Sequence, residues 1–141
     1  MRPRFANAFV LSLVFLLFAT MSEGMGMRPA DTERAPAALL TKADTGKEVH
    51  LKTGDMIEIE LSGPGATGYS WYLDELPAGI TVVSQTTEAN REKGRVGGPV
   101  SYIWRLRADK PGTCEIRALY YRTWEGKEKT IGRFFVTLLV E

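Results

Sequence analysis

Apolar side chains recur at every second position through Ile57-x-Ile59-x-Leu61, Val100-x-Tyr102-x-Trp104-x-Leu106, Cys114-x-Ile116-x-Ala118-x-Tyr120 and Phe134-x-Val136-x-Leu138-x-Val140. Neighbouring side chains of an extended strand point to opposite faces, so each run offers one face to a core and one to water. Shorter stretches of the same kind are Glu48-Val49-His50-Leu51, Trp71-Tyr72-Leu73 and Thr81 to Gln85. Turn-forming sequences separate them: Lys52-Thr53-Gly54-Asp55, Leu76-Pro77-Ala78-Gly79 and Ala108-Asp109-Lys110-Pro111-Gly112. The last run, Lys129 to Val140, also carries Phe135 and Leu139 on its second face, which implies a central strand or partial cover of the outer face. Thr86 to Lys93 is polar and charged, and is expected to be an approach to a loop rather than a core element. No segment has a helical period, so the chain reads as all-β, a sandwich or a barrel.

Three loops stand out against this pattern. Gly63-Pro64-Gly65-Ala66-Thr67-Gly68 is poor in side chains and runs into Tyr69-Ser70-Trp71. Glycine opens backbone conformations closed to other residues, proline fixes φ, and small neighbours leave the main chain close to whatever lies in front of it. Gly94-Arg95-Val96-Gly97-Gly98-Pro99-Val100 is again glycine-rich and again leads into an aromatic strand. Tyr120-Tyr121-Arg122-Thr123-Trp124-Glu125-Gly126 ends one strand and sets an Arg and a Trp before the next. Trp71 and Trp104 are expected in the core, whereas Trp124, beside a turn, is expected to be a contact residue.

Together the three loops resemble those of the chagasin-like inhibitors of papain-family cysteine proteases. In that family an Asn-Pro-Thr-Thr-Gly-aromatic-x-Trp loop, a Gly-x-Gly-Gly loop and an Arg-Pro-Trp loop lie side by side at one end of an immunoglobulin-like sandwich. The resemblance runs from about Val49 to Val140. Thr67 and Gly68 match the first motif, while Pro64, Gly65 and Ala66 stand where the family has Asn-Pro-Thr. The middle loop reads Gly94-x-x-Gly97-Gly98, and Thr123 replaces the proline of the third, which leaves φ there less constrained.

The resemblance implies an immunoglobulin-like β-sandwich of about seven to eight strands. It also implies a monomeric, reversible, non-catalytic inhibitor whose partner is a papain-family cysteine protease. Its protease-binding residues would be Pro64, Gly65, Ala66, Thr67, Gly68, Tyr69, Gly97, Gly98, Pro99, Arg122, Thr123 and Trp124, with Thr67-Gly68 across the catalytic cysteine and histidine and Gly97-Gly98 and Arg122-Trp124 gripping the two walls of the cleft. The alternative from another class is an exported immunoglobulin-like adhesion or envelope-assembly module, since a fold alone does not fix a partner.

Other chemistry finds little material. His50 is the one histidine and Cys114 the one cysteine, and no His/Cys/Asp/Glu cluster has metal-ligand spacing, so neither a metal nor another cofactor is expected. Cys114 alternates with Ile116 and Ala118 and is expected to be a core thiol, because nothing nearby would lower its pKa. Glu58 and Glu60 share a solvent face and imply no cleft. The glycine-rich loops lack the lysine and the strand-to-helix context of a phosphate loop. With 44 % hydrophobic and 25 % charged residues among 141 and a formal net charge of +1, there is no case for a nucleic-acid or anionic-membrane partner.

At the N-terminus, Arg2 and Arg4 precede the apolar run Phe9 to Ala19, the layout of a secretory signal peptide. A spanning helix needs on the order of 20 apolar residues, more than this run supplies. The expected organisation is a signal peptide over 1–24, a flexible leader over 25–36 and the inhibitor domain over 37–141, exported to the periplasm or secreted.

Overall fold

The computed structural model describes residues 34–89 and 97–141. Among them are eight strands: β1 (Ala38–Thr41), β2 (Glu48–Leu51), β3 (Met56–Pro64), β4 (Ser70–Leu73), β5 (Ile80–Ala89), β6 (Pro99–Ala108), β7 (Gly112–Tyr121) and β8 (Gly132–Val140). They form two four-stranded sheets in the orders β1-β3-β6-β5 and β2-β8-β7-β4. The short outer strands β1 and β2 run parallel to β3 and β8, and every other pairing is antiparallel. This is an immunoglobulin-like sandwich.

The alternating runs do what their spacing requires. Ile57, Ile59, Leu61, Trp104 and Leu106 of the first sheet meet Trp71, Ile116, Ala118, Phe134, Val136 and Leu138 of the second in one buried core. Trp104 is 1 % exposed, and truncating an aromatic at such a site costs about 3–5 kcal/mol. On the outer side, Glu58 and Arg105 are register partners whose side chains pair at 2.8 Å. β8 is an interior strand between β2 and β7, which decides between the two expectations for its second apolar face. Cys114 is half-buried against the core.

The elements depart from the sequence expectations at three places. β1 has no sequence signal beyond Leu40, its one buried residue, and joins β3 from Ala38↔Ile57 to Thr41↔Glu60. Thr86 to Ala89, expected only as the approach to a loop, is the exposed outer end of β5, laddered onto β6 from Thr86↔Ile103 to Ala89↔Val100. Gly63 and Pro64, expected in a loop, close the β3–β6 ladder opposite Val100 and Pro99. The expected signal peptide, the leader up to residue 33, and Gly94, Arg95 and Val96 lie outside the described residues.

Candidate functional site

Strands β3 and β4 lie in different sheets, so the segment from Gly65 to Tyr69 crosses from one sheet to the other. The β5–β6 and β7–β8 connections reach the same end, because Pro64 pairs with Pro99 and Ser70 with Tyr121. One bridging loop is therefore flanked by one hairpin from each sheet.

The bridging loop turns through two left-handed residues, Ala66 at φ 60° and Gly68 at φ 79°. Glycine takes that conformation freely, whereas a residue with a Cβ is strained by about 1–2 kcal/mol. Thr67 braces the turn, its hydroxyl donating to the Pro64 carbonyl at 3.4 Å and accepting from the Tyr69 N–H at 3.3 Å. Beneath it stands an aromatic pile: Tyr120 lies 5.0 Å from Trp71 and 5.5 Å from Tyr69, ring centre to ring centre. One hydrogen bond ties this pile across the sandwich, from Trp71 Nε1 to the Ser62 carbonyl at 3.1 Å, and a second joins the sheets beside it, from the Tyr102 hydroxyl to Ser70 Oγ at 3.2 Å.

Gly63 leaves the room this packing needs, since a Cβ there would sit 2.5 Å from the Tyr120 hydroxyl. That hydroxyl is buried without a hydrogen bond of acceptable geometry. Burial pushes its pKa up, and the nearby Thr67 side chain pulls it back by less.

Each flanking loop touches the bridge. A Cβ on Gly65 would lie 2.5 Å from the Gly98 carbonyl oxygen, so main chain meets main chain there. On the other side the Trp124 ring, 70 % exposed, lies across Gly68: a Cβ on Gly68 would overlap the ring edge and stand 2.9 Å from Cζ2. Arg122 Nε donates to the Thr67 carbonyl at 2.9 Å, and its guanidinium sits 4.3 Å from the centre of the Tyr69 ring. The structure thus brings Pro64, Gly65, Ala66, Thr67, Gly68 and Tyr69 together with Gly97, Gly98, Pro99 and with Arg122, Thr123, Trp124 at one edge.

Sequence reasoning missed the pillar role of Tyr120, whose alternation marked it only as a core residue. It also missed Ile131, a second large apolar side chain of the β7–β8 connection, 63 % exposed. A lone isoleucine between Thr130 and Gly132 leaves no periodic signal.

The titratable groups are disposed differently. Burial pushes the Cys114 thiol up, the reverse of what activates a nucleophile. His50 is exposed on β2, in register with Leu139 near the opposite end of β8. Among the described residues no three or more His, Cys, Asp or Glu side chains converge as metal ligands would. A groove on the outer face of the second sheet, floored by Leu119 and Phe135, carries two ion pairs on its rim, Lys127 with Asp74 at 2.9 Å and Arg117 with Glu115.

Such a sandwich, with a main-chain-rich tip and an exposed tryptophan gathered at a single end, presents a surface suited to binding. The chain belongs to the chagasin family of peptidase inhibitors: the model described as "Chagasin family peptidase inhibitor I42" matches residues 50–138. It is 34 % identical to amoebiasin-2 of Entamoeba histolytica over 93 residues, covering 64 % of this chain and 75 % of that protein. It is 28 % identical to chagasin of Trypanosoma cruzi over 105 residues, 70 % of this chain and 94 % of that one. In three dimensions it is similar to the cysteine protease inhibitor EhICP2 from Entamoeba histolytica, with a TM-score of 0.66 and 24 % identity, over 76 % of this chain and 100 % of the other.

Proposed function

We infer that the protein is a reversible inhibitor of papain-like cysteine proteases and that it acts by occluding the active-site cleft with its three-loop edge. Family membership supports the class of target. The observation that carries the mechanism is the contact of both flanking loops with one tip, through Gly65 on Gly98 and Gly68 under Trp124. A tip made of Ala66, Thr67 and Gly68 lets main chain enter a narrow cleft without offering a side chain in a cleavable register. Because the aromatic pile beneath the tip and the Arg122 bond to its Thr67 carbonyl together hold it, little ordering is left for the moment of binding.

Titrating papain and trypsin with the purified protein tests the reading. Papain should lose activity reversibly and trypsin should be untouched; equal inhibition of trypsin would overturn it. Trp124→Ala should cost about 2–4 kcal/mol of affinity if the ring is a hot spot. Its melting temperature should barely move, because the ring lies outside the core. A much lower melting temperature with normal inhibition would make the third loop structural instead.

We further propose that the inhibitor meets its target outside the cytoplasm, on the strength of Arg2, Arg4 and the apolar run to Ala19. N-terminal sequencing of the mature protein checks this, and a retained Met1 would count against it.

A further inference from the structure

We infer that Arg122 is a positioning residue, an internal clamp that fixes the bridging tip and the Trp124 loop to one another before any protease arrives. This rests on the three-loop reading of the binding edge and deepens it, because the resemblance alone would place Arg122 against the cleft wall. The guanidinium is already engaged inside the molecule. Nε donates to the Thr67 carbonyl at 2.9 Å, Tyr69 lies 4.3 Å and Trp124 5.8 Å from the guanidinium carbon, and Nη1 stands 3.6 Å from Glu125 Oε1. The Arg122 side chain is 32 % exposed. Its own carbonyl accepts from the N–H groups of Glu125 and Gly126 at 3.1 and 3.2 Å, closing the turn that presents Trp124.

These contacts form a circuit. Arg122 holds Thr67 and Tyr69 of the tip, the adjoining Trp124 ring lies on Gly68, and Gly68 joins Thr67 to Tyr69. The tip needs such a tie, for its two left-handed residues, Ala66 and Gly68, have no ladder of their own. Lysine cannot replace the arginine here. A planar group that stacks on rings while donating along its edge is specific to guanidinium, and an ammonium is only a point charge.

The clamp and a direct protease contact differ in kinetics. Breaking a clamp lowers the fraction of molecules with a competent edge, which reduces the apparent association rate by that fraction and leaves the formed complex as long-lived as before. Removing a contact shortens the life of the complex.

The test uses wild type, Arg122→Ala and Arg122→Lys in two arms. In the free protein, nitrogen-15 relaxation reports the Thr67 and Gly68 amides and the Trp124 indole N–H. Order parameters should fall from about 0.85 to below about 0.6 in both variants. With papain, association should slow by about tenfold or more while dissociation stays within about twofold, and Arg122→Lys should behave like Arg122→Ala. Unchanged order parameters, or normal association with faster dissociation, overturns the clamp; so does full affinity in Arg122→Lys. If wild type does not bind papain at all, the inhibitor reading fails and the relaxation arm alone still decides the clamp.

Discussion

At Gly68 two constraints meet: φ is 79°, in the left-handed region, and the space a side chain would fill is taken by the Trp124 ring. Ala66 meets only the first, with φ 60° on an exposed residue, and shows that backbone strain by itself is tolerated in this loop. Gly68→Ala should therefore do more than strain the backbone by about 1–2 kcal/mol. Its methyl must push Trp124 off the tip, so inhibition should weaken by at least about tenfold while the protein still melts as one folded unit. Parallel measurement of melting temperature and inhibition constant checks this, and wild-type inhibition by the variant would show that the ring need not rest there. Both residues are visible in the sequence as members of separate motifs. Their contact is not, because it depends on where two sheets place them.

The legible elements are those with one face in the core. β3, β6, β7 and β8 write their burial into the sequence as alternation, since every second side chain must exclude water. β1 needs only Leu40 inside, and four residues cannot display a period. The outer end of β5 has no buried side at all. Thr86, Thr87, Glu88 and Ala89 are exposed, and what holds them is the backbone ladder to β6, which is indifferent to side-chain pattern. Pro64 and Pro99 mislead for the opposite reason. Proline reads as a turn, yet it fits at the end of a ladder where its missing N–H is least needed. The candidate site was legible as three glycine-rich or aromatic loops. The internal roles of Tyr120 and Arg122 were not, because both are fixed by partners on other strands.

Across the whole molecule, three aspartates stitch the connections between strands. Asp44 is held by Lys47 and the Thr41 N–H beside the β1–β2 crossing, Asp74 by Lys127 between β4 and the β7–β8 connection, and Asp109 by Thr81 and then Arg107 at the start of the β6–β7 turn. Each carboxyl is thereby held below the ordinary aspartate range. A folded-state pKa below the unfolded one gives stability that is complete above the unfolded value and drains away as pH falls through the folded one. Melting temperature should thus be flat from neutrality to about pH 5 and fall below about pH 4. A curve unchanged down to pH 2 would show that these contacts contribute nothing. The bridging tip springs from β3 in one sheet and β4 in the other, and the hairpins beside it belong to opposite sheets. Facing sheets stand about 10 Å apart, a gap set by the volume of the side chains between them. The molecule is in effect a feeler gauge whose blade width is ground by its interior. A change of volume at Val136 or Ile59, touching no loop, would alter which clefts it fits.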